Sequence, residues 1–322
     1  MNTELTTHGT TRKGLMPEDL FHFRWIEELS LDPTGERVAY TVKQADASAN
    51  GCQAHVFMRR LSEPAAERIS SGVGVAGAIA WRRDGRRLAY SWSEGGRYSV
   101  RIWSLDAPLR EVPVEGAPLG DLNWSPDGEQ LAGVRWTEQR REEDSGPRSG
   151  IPAPTIKVIR RLRSKQDGVG WVHNRFSQVW VLHVRTGELS QITDSECDYA
   201  EPRWSNAGDR LAFTAVAREQ NVDLGQGQIF ICDVPGGTPR PLLPGWVGQS
   251  RSPAWSPDDR QIAFAGHTHS APTNRRVFAM PYLADVASGT ARPLANPGPS
   301  HVFLQGSLCF NTESALERHR SW

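Results

Sequence analysis

The sequence predicts an all-β fold: a β-propeller of four-stranded blades, with about five blades present and the ring incomplete. Three observations carry this. The stretch Asn123-Trp124-Ser125-Pro126-Asp127-Gly128-Glu129-Gln130-Leu131-Ala132 reads as a strand end, a tight turn and a new strand, and variants of it occur five times. An alanine recurs in these copies at Ala39, Ala89, Ala132, Ala212 and Ala263. Three of the four intervals between those alanines fall near the ~40–50 residues of one propeller blade. Each copy is also followed by a second β-rich run.

The elements follow in order. A polar arm, 1–16, precedes Pro17-Glu18-Asp19-Leu20-Phe21, where proline and acidic residues suit a first helical turn. The propeller is expected over 17–295, with repeats near 31–40, 81–90, 124–133, 204–213 and 255–264. In the turn, Pro126 presets φ, Asp127 can bond the downstream backbone, and Gly128 supplies a positive φ. The second strands are read at His55–Met58, Ser99–Trp103, Gln178–Leu182, Gln228–Cys232 and Arg276–Met280. Turns such as Arg185-Thr186-Gly187-Glu188 and Pro235-Gly236-Gly237-Thr238 then lead into short outer strands. Runs such as Val38-Ala39-Tyr40-Thr41-Val42 are apolar on both faces, as expected for blades stacked on both sides. Trp81, Trp124, Trp204 and Trp255 share one repeat position and are expected to wedge between blades.

The long interval holds an insertion over 137–177. It opens with the charge run Arg140-Arg141-Glu142-Glu143-Asp144, and the alternation over 156–162 predicts an edge strand bearing basic side chains. Two readings of Arg160, Arg161, Arg163 and Lys165 stand. One is a surface hairpin; the other is a basic lip over the channel that contacts substrate or another domain.

Composition narrows the function classes. The chain has 322 residues, and 37 basic residues balance 37 acidic ones, so no electrostatic footprint for nucleic acid or an anionic membrane is present. No apolar run approaches the ~20 residues that span a bilayer, and the polar N-terminus has no signal-peptide core. Cys52, Cys197, Cys232 and Cys309 lie far apart, which reads as buried thiols in a reducing compartment. A soluble cytoplasmic protein is therefore expected.

Several motifs fail on context. Gly72-Val73-Gly74-Val75-Ala76-Gly77 matches G-x-G-x-x-G, but a turn precedes it and strand Ile79-Ala80-Trp81 follows, so it reads as a flexible link between blades. His267-Thr268-His269 could place two imidazoles on one strand face, yet no third ligand is near, and a solvent-exposed pair is expected. No serine sits in the G-x-S-x-G elbow of a serine hydrolase. Gly248-Gln249-Ser250-Arg251-Ser252 lacks the last glycine, as does the stretch opening Gly298-Pro299-Ser300-His301. No catalytic, cofactor or metal residue is assigned.

The repeat, with its apolar-Ala-aromatic strand, resembles the TolB/WD40-like propeller repeats and those of the prolyl oligopeptidase (S9) family. Phe23-Arg24-Trp25-Ile26 leading to Leu31-Asp32-Pro33-Thr34-Gly35 is similar to the opening of the acylaminoacyl-peptidase and dipeptidyl-aminopeptidase branch. So are Arg160-Arg161-Leu162-Arg163-Ser164-Lys165-Gln166-Asp167-Gly168-Val169-Gly170 and Glu201-Pro202-Arg203-Trp204. The resemblance implies a propeller of about seven blades that gates peptide access to an α/β-hydrolase domain with a Ser-Asp-His triad. Here the triad positions are absent and 296–322 reads as an irregular tail without hydrolase strands. The expectation is a catalytically inactive N-terminal propeller portion of a serine peptidase, with a peptide substrate and a hydrolase domain or partner chain as its counterparts. The competing expectation is a stand-alone TolB-like propeller that binds a protein or peptide.

Overall fold

A computed structural model describes residues 14–48, 50–138, 165–166, 170–171, 175–217, 227–268 and 279–294. The chain enters through a 3-10 helix, Pro17–His22, with proline at its start and the Met16 N–H donating to Asp19 Oδ2 at 2.8 Å. Five antiparallel four-stranded units follow. The first is β1 (Arg24–Leu31), β2 (Arg37–Asp46), β3 (Gly51–Arg60) and β4 (Ala66–Arg68). The second is β5 (Val75–Trp81), β6 (Arg87–Glu94), β7 (Arg97–Ser104) and β8 (Arg110–Val114). The third begins with β9 (Gly120–Trp124) and β10 (Gln130–Glu138). It is interrupted by a two-stranded ribbon, β11 (Lys165–Gln166) with β12 (Gly170–Trp171), and resumes at β13 (Arg175–His183) and β14 (Leu189–Gln191). The fourth is β15 (Cys197–Trp204), β16 (Arg210–Ala217), β17 (Gln228–Asp233) and β18 (Arg240–Pro241). The fifth is β19 (Ser250–Trp255), β20 (Gln261–Gly266), β21 (Met280–Asp285) and β22 (Thr290–Pro293). These are propeller blades in sequence order. One parallel bridge, Ala54 to Val75, joins the first two into a continuous sheet.

The expected turn is built as its chemistry dictates. Between β9 and β10 the Gly128 N–H donates to the Ser125 carbonyl at 2.9 Å, and Asp127 Oδ1 accepts from the Glu129 N–H at 3.0 Å. Gly128 sits at φ +71°, where a side chain would be strained. In the fifth copy Asp259 holds the same place at φ +56°. Its carboxylate accepts from the backbone N–H groups of Asn206 and Ala207, at 2.7 and 2.8 Å, on the neighbouring turn. The turns of successive blades thus bond one another: Arg82 donates to the Asp127 carbonyl at 2.7 Å, and Arg83 reaches Asn206 Oδ1, two blades on, at 3.4 Å.

These bonds have a pH consequence. Burial raises the pKa of Asp127, but the Glu129 N–H, the Ser125 hydroxyl and the Arg82 cation outweigh it and hold the carboxyl below its ordinary value. Asp32 and Asp259 are lowered in the same way, against burial, by backbone and side-chain donors. A depressed folded pKa contributes stability above the unfolded value near ~4 and loses it as pH falls through the folded value. The urea midpoint is therefore expected to hold from pH 7 to about 5 and to drop below about 4. Asp127→Asn should remove part of that acid-dependent drop, read by comparing midpoints at the two ends of the range.

Four hydrophobic clusters lie one at each contact between consecutive blades. Ala39, Val56, Met58, Leu88 and Tyr90 fill the first. Ile102, Leu122, Trp124 and Leu131 are in the second. Val181, Trp204 and Phe213 are in the third, and Ile231, Ile262 and Phe264 in the fourth. The repeated alanines are fully buried at Ala39, Ala89, Ala132 and Ala212, which lets neighbouring sheets approach. The tryptophans do more than wedge. The indole N–H of Trp81 donates to the Ser30 carbonyl, that of Trp124 to Ala80, and that of Trp255 to Arg203, at 3.0–3.2 Å. Each acceptor lies one residue before the equivalent position of the preceding blade. Trp204 is the exception: its buried indole nitrogen has no such partner.

Several expectations are corrected. The strand expected at Arg276–Met280 lies mostly outside the described residues, and within them the second strand of the fifth unit is Met280–Asp285. Its register is set from the turn at Ala287-Ser288-Gly289, which pairs Asp285 with Gln261 and carries Pro281 into the ladder opposite Ala265. Val38, Tyr40 and Val42 are only half-buried, because among the described residues no blade covers that side of the first unit. His267 is buried, not solvent-exposed: its N–H continues the pairing beyond β20 by donating to the Gln249 carbonyl at 2.9 Å, which packs it beneath Gly248. His269 lies outside the described residues. The glycine-rich link is shorter than read, since Val75–Gly77 belong to β5 and Gly74 packs against the Trp92 indole. Cys52 and Cys197 are half-buried; among the described residues only Cys232 is a buried thiol, its pKa raised by burial and then by Asp233, and Cys309 lies outside them. The β10–β13 ladder runs through Glu138 and Arg175, so the long connection spans 139–174.

Candidate functional site

The meander puts the repeated tight turns at one mouth of the blades. At the other mouth lie the links between blades and the connections between second and third strands, which are long in the third, fourth and fifth units. The basic residues singled out in the sequence fall in the stretch between β10 and β13. Arg160, Arg161 and Arg163, with the expected edge strand over 156–162, lie outside the described residues. Lys165 is in β11, with its backbone paired to Trp171.

What the structure brings together was not read from the sequence. In every inner strand the residue three before the tryptophan position falls at a bulge: Glu28, Ala78, Asp121, Glu201 and Ser252. Asp121, Glu201 and Ser252 have φ of +49°, +56° and +56°. A bulge frees backbone N–H groups from the ladder and turns them toward the next blade. There they meet carboxylates. Glu28 Oε2 accepts from the Ile79 N–H at 2.9 Å. Asp121 Oδ2 lies 3.5 Å from the Glu201 N–H, and Asn123 Oδ1 accepts from the Trp204 N–H at 3.0 Å. Glu201 accepts from the Ser252 N–H at 2.7 Å, the Ser252 hydroxyl at 2.9 Å and the Thr214 hydroxyl at 2.9 Å. At Ala78 no carboxylate is present to make the bond. The usable signal was the fixed offset from the tryptophan, carried by residues of differing type.

This wall is a set of clamps between blades rather than an acid–base centre, because Glu201 spends its oxygens on donors of its own chain. A serine–histidine contact elsewhere also proves structural. Ser70 Oγ lies 3.2 Å from His55 Nδ1, the geometry of a nucleophile and its base. Yet Ser70 is buried and accepts from the Val56 N–H at 3.0 Å. Thr193 does the same for the Val179 N–H, and Ser250 for the Ile229 N–H. The hydroxyl is a repeated cap on the third strand of the blade. Burial, and then the Arg68 cation, hold the His55 imidazole below its ordinary pKa. Among the described residues no group of three or more His, Cys, Asp or Glu is placed to hold a metal ion, and no helix is long and apolar enough to cross a membrane.

No family model matches the chain. It is 25% identical over 311 residues to dipeptidyl-peptidase 5 of Porphyromonas gingivalis, a match covering 89% of this chain and 43% of the relative. The acylaminoacyl peptidase of Pyrococcus horikoshii superposes with a TM-score of 0.62 at 14% identity, over 85% of this chain and 40% of that one. A putative TolB from Agrobacterium tumefaciens superposes with a TM-score of 0.52 at 16% identity, over 84% and 81%. The chain spans less than half the length of the curated relatives it matches. Fold and blade contacts together define a β-propeller portion of the kind shared by peptidases and TolB-like proteins. The chain resembles, more particularly, the N-terminal propeller part of the prolyl oligopeptidase (S9) family.

Proposed function

We propose that this chain is the access-gating propeller of an S9-type serine peptidase, admitting peptides to an α/β-hydrolase domain and doing no chemistry itself. The observation that carries the reading is the match to dipeptidyl-peptidase 5, which takes in 89% of this chain but 43% of the relative. The clamped inner wall supports it, since a gate needs a rigid rim with its long connections at one mouth. In this reading Arg160, Arg161, Arg163 and Lys165 form a basic lip toward substrate or the hydrolase domain. The compartment is the cytoplasm, where Cys52, Cys197 and Cys232 stay reduced.

Two measurements test this. The purified chain is expected to remain unlabelled by a fluorophosphonate probe, and covalent tagging of any serine overturns the non-catalytic assignment. The DNA following codon 322, translated in all frames, is expected to encode G-x-S-x-G within hydrolase-like sequence. Its absence there and in a neighbouring gene removes the gate's counterpart. The second reading, a stand-alone TolB-like binding scaffold, then stands on the 81% coverage of the TolB chain.

A further inference from the structure

The second and third blades carry one pair of residue types in exchanged places. Counting three on from the repeated alanine, β6 has Trp92 after Ala89 and β10 has Arg135 after Ala132. Ala89 pairs with Ile102 and Ala132 with Val181, and the residues just before those partners are Arg101 and Trp180. Both pairs stack. The Arg101 guanidinium lies 4.2 Å from the Trp92 ring centroid, and that of Arg135 lies 4.4 Å from the Trp180 centroid. Their surroundings differ. Around Arg101 the second blade supplies two carboxylates: Glu111 Oε2 is 3.2 Å from Nε and Glu94 Oε2 is 3.7 Å from Nη2. Glu94 Oε2 also accepts from the Trp92 indole N–H at 3.0 Å, and the Ser71 carbonyl accepts from Arg101 Nη1 at 2.8 Å. At the places of Glu94 and Glu111 the third blade has Thr137 and Gln191. Among the described residues no carboxylate forms an ion pair with Arg135. Its Nε, the Thr137 hydroxyl and the Trp180 indole nitrogen are each buried without a hydrogen-bond partner. Burial lowers the Arg135 pKa, and no neighbouring charge opposes it.

We propose that Arg135, Thr137 and Trp180 form a binding site for the carboxylate of an external ligand, between the second and third blades at the mouth where the links lie. The ligand class follows from three properties. First, a half-buried guanidinium without a counter-charge is costly, and an anionic acceptor removes that cost. Second, the donors share one sheet face, since Arg135 and Thr137 alternate along β10 and Trp180 stacks on Arg135. A carboxylate offers two oxygens and about four acceptor positions, which suits a guanidinium fork with an indole N–H and a hydroxyl beside it. Third, the second blade meets the same demand internally with a carboxylate, since Glu94 serves both the indole N–H and the guanidinium. One guanidinium also balances one carboxylate, whereas a phosphate dianion would leave charge over. Approach is from the link between the two blades. Gly116, exposed and at φ +85°, crosses the guanidinium there, and a Cβ on it would lie 3.0 Å from Arg135 Nη2. Glycine thus keeps a side chain off the terminal nitrogens. Two sources share this chemistry, a small organic acid and the free C-terminus of a peptide. The inference does not rest on the gating reading, and neither serine labelling nor the downstream DNA bears on it.

Calorimetric titration and thermal denaturation of the full chain test it. The probes are sodium acetate, N-acetyl-tetra-alanine with a free C-terminus, and the same peptide amidated, with sodium chloride matching ionic strength. The acid peptide is expected to bind on the order of 10–100-fold more tightly than the amide, the range for losing a charge-assisted hydrogen bond. Acetate binding as tightly as the acid peptide identifies a small organic acid as the source; tighter binding of the peptide identifies a C-terminus. Either carboxylate should raise the parent's melting temperature, and the amide and the chloride should not. Arg135→Gln is expected to abolish the difference between acid and amide. Without ligand its melting temperature should equal or exceed the parent's, because it removes a buried charge that has no partner. Arg101→Gln, which leaves Glu94 and Glu111 without their cation, should lower it. The parent's acid–amide comparison needs no variant, so the test holds however the variants fold. A parent that does not distinguish acid from amide, an Arg135→Gln chain that still does, or a loss of stability in it equal to that of Arg101→Gln would each overturn the proposal.

Discussion

Trp124→Ala is expected to destabilise the chain by about 3–5 kcal/mol, the range for deleting a large aromatic from a packed interior. Trp124 is 6% exposed and sits in the cluster joining the second and third blades, among Leu122, Leu131 and Ile102. Its loss opens a cavity at a contact that two rigid sheets cannot collapse to fill. Against a typical total of about 5–15 kcal/mol, that is a large fraction. Trp124→Phe separates the two contributions. It keeps most of the ring but removes the indole N–H that bonds the Ala80 carbonyl at 3.0 Å, leaving a cost of about 1 kcal/mol from that bond plus the lost ring area. Trp204→Phe is the internal control. Its indole nitrogen has no partner, so the same change there should be milder than at Trp124. Urea midpoints by far-UV circular dichroism measure all three. Equal costs for Trp124→Phe and Trp204→Phe would show that the inter-blade bond contributes nothing.

The contrast between those residues shows what the sequence could and could not reveal. The tryptophans and the turn were legible because each repeat spells them with nearly the same letters at the same offset. The blade architecture followed, because turn, strand and alanine spacing all agree. The bulge three residues earlier was invisible for the opposite reason. Glutamate, alanine, aspartate, glutamate and serine occupy it, and what they share is a break in the strand register rather than a side chain. The capping hydroxyls at Ser70, Thr193 and Ser250 were missed likewise, since Ser and Thr are common in links and only their common acceptor role marks them. The strand over Pro281-Tyr282-Leu283 was not read because Val277-Phe278-Ala279-Met280 looks more strand-like, while the following turn carries the ladder through Pro281. His267 looked exposed because polarity, not packing, is what a sequence displays. The open side of the first blade is a matter of which surfaces meet, and Val38-Ala39-Tyr40-Thr41-Val42 reads the same whether one face is covered or two.

Glu201 is where the inner wall can be tested most directly. Glu201→Ala is expected to cost about 2–4 kcal/mol, because it strips the acceptor from three donors at once: the Ser252 N–H, the Ser252 hydroxyl and the Thr214 hydroxyl. The residue is half-buried, which keeps the figure below that of a fully buried ion. Glu201→Gln leaves one oxygen but turns an amide N–H₂ toward a donor, so about half that loss is expected. Glu201→Gly removes the same carboxylate as alanine does, but at φ +56° it also relieves a backbone strain of about 1 kcal/mol. The order of stability should therefore be parent, glutamine, glycine, alanine, with glycine above alanine despite its greater freedom in the unfolded chain. Amide hydrogen exchange locates the effect. The Ser252 N–H should lose protection in the alanine variant, while the Ile79 N–H, held by Glu28 between the first and second blades, should keep its own. If both amides respond equally, the clamps do not act blade by blade. If neither does, the carboxylate is not what holds the fourth and fifth blades together at the axis.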